Sequence, residues 1–262
     1  MEKKRGSHYV AFSLMMIGLL LAISGFAMVG FNYKKLSNEE TEDKKFTTEK
    51  KIENIIIKSD VADVKLIKTD DDEIKVEYSE SKKLKCSISV DNGTLTIKQK
   101  DNRRWYEFIG FHFSTDYKIN VYLPEKQYES VKVTSDTGSV SVSGFSIDDL
   151  SISVDTGAIK VKNVKCEEIK AETDTGTVTF TDVVAKGDMS VKTDTGSIDF
   201  TDIDAASIVM NTDTGSIKGT VLSEKIFSAS TDTGSVNVPE GESGGKCKLT
   251  TDTGSINVKY SK

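Results

Sequence analysis

The chain is poor in the residues around which catalytic and metal sites are usually built. Among 262 residues there are two histidines, two prolines, one tryptophan and three cysteines. Cys86, Cys166 and Cys247 are odd in number and far apart, which excludes a disulfide framework or a metal-ligand motif and leaves them as small buried apolar residues. His112 has no companion at ligand spacing. No stretch repeats its apolar residues at a helical period outside one N-terminal run. Positive charge is also short. Residues 1–35 hold five basic side chains and one acidic, so residues 36–262 carry −10 of a chain whose net charge is −6. So acidic a segment cannot neutralise phosphates, which argues against nucleic acid and against anionic lipid headgroups as partners.

The exception to the shortage of long apolar stretches is Val10–Phe31, 22 residues without a charge. At ~1.5 Å per residue it is long enough for the ~30 Å hydrocarbon core of a bilayer. Lys3, Lys4 and Arg5 precede it, and Lys34 and Lys35 follow. A signal peptide would begin with the same basic residues, but its apolar core is shorter, about 7–15 residues. The expectation is a single-pass anchor in the cell membrane, with residues 1–9 a cytoplasmic tail, 10–31 the span and 32–51 a polar stalk. The rest of the chain then stands outside the cytoplasm.

What the chain has in abundance is one phrase. Thr-Asp-Thr-Gly-Ser occurs at 193–197, 212–216, 231–235 and 251–255, with near copies SDTGS, VDTGA and TDTGT. Its aspartates fall at Asp136, Asp155, Asp174, Asp194, Asp213, Asp232 and Asp252, spaced by 19 or 20 residues. A fixed period of this size marks a stacked repeat.

Aligned on that Asp, other columns emerge. Apolar residues stand five and three positions before it (Val131 and Val133, Leu150 and Ile152, Ile169 and Ala171) and four, six and nine positions after it (Ile159, Val161 and Val164; Ile217 and Leu222). Alternation on both sides of a glycine means two short strands with one buried face. The fold class expected is all-β: a single-stranded parallel β-solenoid (β-helix) of 19–20-residue coils, preceded by one transmembrane helix. Residues 131–262 form its regular part and 52–130 an irregular first part. There Asp60 and Asp91 mark degenerate corners, and Ile119, Val121 and Leu123 supply another buried strand. The last coil, Lys248–Tyr260, has full repeat character, so an open edge there offers a route to self-association.

Asp-Thr-Gly is also the motif of aspartic proteases, but these need two carboxylates sharing a proton across a cleft, not seven in a row. The Thr before each Asp shares the parity of the buried columns, so it points inward and no flat ice-binding array results. The glycine supplies positive φ, the Asp accepts from amides of its own turn, and the following Ser or Thr bonds along the stack. A row of seven carboxylates could instead attract a hard cation, which makes the column Asp136, Asp155, Asp174, Asp194, Asp213, Asp232 and Asp252 a candidate calcium site. No other cofactor and no catalytic residue is indicated. One segment breaks the pattern: Arg103, Arg104, Trp105, Tyr106, Phe108, Phe111 and Phe113 crowd into 103–113, a candidate aromatic ligand-binding patch for sugar rings or a protein.

The membrane span, the irregular β half, the strand Ile119–Pro124 (INVYLP), the Ser130–Val133 lead-in (SVKV) and the repeats together resemble the bacterial "putative adhesin" domain family of unknown function, found in LiaG-like membrane-anchored proteins. The resemblance covers residues 52–262 and implies a β-solenoid with no established enzymatic activity. It points to a surface protein that binds a wall polymer or an envelope protein, or to an accessory or sensor of an envelope-stress system. A polysaccharide-acting β-helix enzyme is the third reading, weakened by the lack of an irregular coil that sets a basic residue beside an acidic cluster.

Overall fold

The computed structural model describes residue 24, residues 41–102 and residues 117–261. Every regular element described after residue 40 is a β-strand, twenty in all. The first seven are β1 (Glu42–Thr48), β2 (Asn54–Ser59), β3 (Asp63–Thr69), β4 (Ile74–Glu80), β5 (Leu84–Asp91), β6 (Thr94–Asp101) and β7 (Lys118–Pro124). Then come β8 (Gln127–Thr137), β9 (Val140–Ser143), β10 (Ser146–Thr156), β11 (Ile159–Thr175), β12 (Val178–Ala185), β13 (Asp188–Thr195) and β14 (Ile198–Ile203). The chain ends with β15 (Ser207–Thr214), β16 (Ile217–Val221), β17 (Lys225–Thr233), β18 (Val236–Asn237), β19 (Gly245–Thr253) and β20 (Ile256–Tyr260). Among the described residues no helix is long and apolar enough to cross a membrane. The span expected at 10–31 lies, residue 24 aside, outside them.

All twenty strands join one sheet that wraps, barrel-like, around a single core. Strands that lead into the Asp corner stack on one face, in the order β5, β6, β2, β8, β10, β11, β13, β15, β19, β17. Strands that leave it stack on the other, in the order β1, β4, β7, β3, β9, β11, β12, β14, β16, β20, β18. Pairing is parallel and in register through the repeats: Val131, Leu150, Ile169, Met189 and Ile208 stand opposite one another in turn. The columns read from the sequence are the core, with Ile152, Ala171, Val178, Val191 and Ile217 each at most 1% exposed. The wall is therefore solenoid-like, as the period implied.

Several expectations are corrected. Parallel pairing gives way to antiparallel at β1–β4, β4–β7 and β5–β6. Asp91 is not a coil corner but the start of a hairpin turn, in which Asn92 and Gly93 both take positive φ, 45° and 73°, as a tight two-residue hairpin requires. Part of the expected stalk is the strand Glu42–Thr48, held by Lys44–Glu80 (2.7 Å) and Lys118–Asp43 (2.7 Å). Leu222 is 51% exposed, because a register shift between β14 and β16 puts Val221, fully buried, opposite Ile203.

The largest correction concerns the end. The last coil is not the edge: β19 lies between β15 and β17, and β20 between β16 and β18. The open edge expected at Lys248–Tyr260 belongs instead to the coil before it. That coil fills its columns least, with Ala229 and Gly241 at inward positions and a two-residue second strand. The last coil fills them with Cys247, Leu249, Ile256 and Val258, all at most 2% exposed. Burying the well-filled layer and leaving the poor one outside keeps more apolar area from water. Lys225 fixes the climb between layers, its ammonium buried against Asp204, the Ala205 carbonyl (2.7 Å) and Ser223 Oγ (2.9 Å).

The repeated phrase is the joint between layers. Thr173, Thr193, Thr212 and Thr251 are at most 3% exposed, as parity required. The hydroxyl of Thr193 donates to the Gly176 carbonyl at 3.0 Å, and Thr173, Thr212, Thr251 and Thr231 donate likewise to Gly157, Gly196, Gly215 and Gly254. The same carbonyl explains the glycine. A Cβ on Gly196, which has φ +154°, would sit 1.9 Å from the Gly176 carbonyl oxygen. Ser255 Oγ accepts from the Ser235 amide and shares a hydroxyl hydrogen bond of 3.2 Å with Ser235, the expected bonding along the stack. At the degenerate corner Ser59–Ala62 the glycine is missing, and Gln99 from β6 reaches in to accept from the Val61 and Ala62 amides.

Candidate binding groove

Four successive coils turn a second time eight residues after their Asp. The corner residues Gly144, Asn163, Asp182 and Asp202 all have positive φ, 85°, 52°, 54° and 55°. Asn and Asp tolerate this left-handed conformation better than other side chains, which is why they recur there. The apolar columns of the sequence do not mark this corner. The Gly/Asn/Asp column at a fixed offset was the signal that could have revealed it.

Stacking these corners makes a groove. A cavity of about 680 Å³ runs past Lys68, Glu125, Asn163, Lys165, Asp182 and Asp202, over a floor that includes Phe145 and Val184. A smaller one of about 240 Å³, bounded by Gln127, Glu167 and Lys186, adjoins it and shares Ser146, Lys165 and Val184. The lining residues come from the coils of Asp60, Asp136, Asp155, Asp174, Asp194 and Asp213, so at ~4.8 Å per layer the groove extends roughly 24 Å.

Its charges divide into used and unused. Lys68 pairs with Glu125 at 2.6 Å, and Lys186 pairs with Glu167. Asp202 Oδ1 accepts from Thr220 Oγ1 (3.0 Å) and Ser261 Oγ (2.6 Å). The side chains of Lys165 and Asp182 have no hydrogen-bond or ion-pair partner among the described residues. Cys166 borders the smaller cavity, but burial pushes its thiol up to about 12, so it supplies no thiolate at neutral pH. The same holds for Cys86 and Cys247, each held at about 12 by burial. The groove can thus hydrogen-bond and ion-pair with an extended ligand over several layers.

The candidates from the sequence lie elsewhere. Arg103, Arg104, Trp105, Tyr106, Phe108, Phe111 and Phe113 fall outside the described residues. The aspartate column is a row, one carboxylate per layer, with Asp60 at its end beside Asp136. Asp136, Asp155, Asp174, Asp213, Asp232 and Asp252 are exposed and Asp194 half-buried. They do not accept from their own turn amides; Asp194 instead pairs with Lys192 at 2.9 Å. Burial, then the neighbouring Asp60 and Asp155, raises the Asp136 carboxyl above its ordinary value. Among the described residues no three carboxylate, histidine or cysteine side chains are placed to hold a metal ion. The row offers one carboxylate per layer, so a calcium ion there would take most of its six to eight oxygens from water or from another molecule.

A wrapped all-β repeat with a groove along its turns is a repeat scaffold with an extended face. The chain belongs to the Toastrack family DUF4097, whose sequence profile matches residues 52–262, and the "putative adhesin" resemblance is thereby confirmed. Among solved structures, it is similar to a "putative adhesin" from Bacteroides fragilis NCTC 9343. That likeness has a TM-score of 0.58 at 15% identity, over 83% of this chain and 97% of the other. A "putative cell adhesion protein" from Clostridium sporogenes ATCC 15579 shares 15% identity over 86% of this chain and 100% of its own, with a TM-score of 0.40. A "putative lipid binding protein" from Parabacteroides distasonis ATCC 8503 gives 17% identity over 85% and 98%, with a TM-score of 0.40. No curated protein matches the chain.

Proposed function

We propose that this chain is a non-enzymatic cell-envelope protein, held in the membrane by residues 10–31 with its N-terminus cytoplasmic, whose parallel β-solenoid binds an extended wall polymer or envelope protein. The observation that carries this reading is the groove across six layers, in which the side chains of Lys165 and Asp182 have no partner among the described residues. A site for chemistry on one bond is compact and convergent, whereas polar groups repeated at ~4.8 Å suit a ligand with its own repeat. The "putative adhesin" name of the similar Bacteroides fragilis structure supports a surface role, and the apolar run at Val10–Phe31 supports the anchor.

The test is sedimentation of the chain with isolated cell walls. The Lys165→Ala/Asp182→Ala variant should lose most retention while keeping its melting temperature. Equal retention of the variant and the unaltered chain would remove the groove from the account. No retention at all, together with recovery of a membrane-protein partner, would favour the accessory or sensor role.

A further inference from the structure

The layer formed by β17 and β18 differs from every inner one. Among the described residues each of these strands has a neighbour on one side only, β19 for β17 and β20 for β18. Of the exposed large apolar side chains among the described residues, Ile226 (46%) and Val236 (43%) sit on this edge. Phe227, Ala229 and Val238 belong to columns sealed in inner layers, yet here they are only partly covered.

Edge strands of soluble proteins are normally blunted by charge, proline or a covering element. The other end of this stack follows that rule. There β5 is turned back as an antiparallel hairpin strand beside Lys82, Lys83 and Lys85, and β1 carries Glu42, Asp43, Lys44 and Lys45. From Ile226 to Ser230 the edge has no charge and no proline, and the adjacent Lys225 is turned inward to Asp204.

We propose that the β17–β18 edge is the contact surface for a second copy of this chain, joined end to end about a two-fold axis. Any occupant must satisfy two strand edges on opposite faces, ~10 Å apart, and cover the apolar section between them. A peptide adding to one edge does neither of the other two tasks. A copy rotated about a two-fold axis presents the same two edges at the same spacing, so β17 meets β17 and β18 meets β18, both antiparallel. The uncharged Ile226–Ser230 segment brings no like charges together across the axis. Nine residues of β17 span ~30 Å, and two strand layers are ~20 Å deep. The footprint is then on the order of 600 Å² per partner, near the ~800 Å² of a standard interface.

The full chain in detergent micelles should give a dimer by light scattering, with the β17 amides exchanging with deuterium more slowly as protein concentration rises. The Ile226→Lys/Val236→Lys variant replaces exposed side chains, so it should keep its melting temperature while its dimer dissociation constant rises at least about a hundredfold. A chain monomeric up to about 1 mM would overturn the proposal. So would a dimer insensitive to the variant, oligomers that grow beyond two, or exchange protection at β5 and β1 in place of β17. Should the variant fail to fold, the exchange pattern of the unaltered chain decides alone.

Discussion

Replacing Thr193 by valine removes one hydroxyl from the ladder and little else, since the two side chains are nearly the same shape. Thr193 is fully buried, and its hydroxyl is the donor that reaches the Gly176 carbonyl, 3.0 Å away. A net hydrogen bond is worth about 1 kcal/mol, and a buried carbonyl left unsatisfied costs about 1–3 kcal/mol. The added methyl recovers up to about 0.8 kcal/mol of apolar burial. The expected loss is therefore about 1–2 kcal/mol, or roughly 3–6 °C in Tm for a domain of this size. The chain contains the reverse case. Val154 occupies the same column, so no hydroxyl from that layer reaches the Gly138 carbonyl, and Val154→Thr should stabilise by up to about 1 kcal/mol. Urea or thermal melts of both variants against the unaltered chain decide it. A neutral or stabilising Thr193→Val together with a destabilising Val154→Thr would refute the ladder as a source of stability.

Gly196→Ala should be much worse than either, by about 3 kcal/mol or more, because its Cβ meets a backbone oxygen at 1.9 Å that no side-chain rotation can move; a small loss in a urea melt would contradict the close approach. Lys225→Met should cost about 2 kcal/mol, below the ~3–5 kcal/mol of breaking a fully buried pair because Asp204 is partly exposed, and hydrogen exchange should quicken first in β17. Asp136 is held above its ordinary value when folded, so its ionised form is penalised above the folded pKa and the penalty fades as pH falls through it. Asp136→Asn should accordingly be more stable than the unaltered chain at pH 7, with the gap closing toward pH ~3.8 and below in pH-dependent melts.

How far the sequence reached follows from what periodicity can carry. Parity placed Thr193 inward and Ile198 in the core, because alternation is a local property of a strand. The order of layers is not local. Nineteen-residue spacing says that coils stack, but not that the coil of Asp252 slips between those of Asp213 and Asp232. That choice turns on how well each layer fills its columns and on the buried Lys225, neither of which a repeat alignment weighs. Asn92-Gly93 carried a strong hairpin signal, yet matching offsets around Asp91 masked it. The groove stayed hidden because its corners differ in residue type, Gly144, Asn163, Asp182 and Asp202, while sharing one backbone conformation.

The layer order underlies the ladder, the groove's length and the open edge together, and a pair of engineered disulfides tests it directly. Asn211 and Thr250 face each other across adjacent parallel strands, as do Thr250 and Ser230, whereas Asn211 and Ser230 are two layers apart. Neighbouring positions at ~4.8 Å suit a disulfide, and two layers exceed its ~7 Å limit. On mild oxidation and peptide mapping, Asn211→Cys/Thr250→Cys should link and Asn211→Cys/Ser230→Cys should not. A link between 211 and 230, with none between 211 and 250, would mean that the coils stack in chain order and would contradict the fold described here.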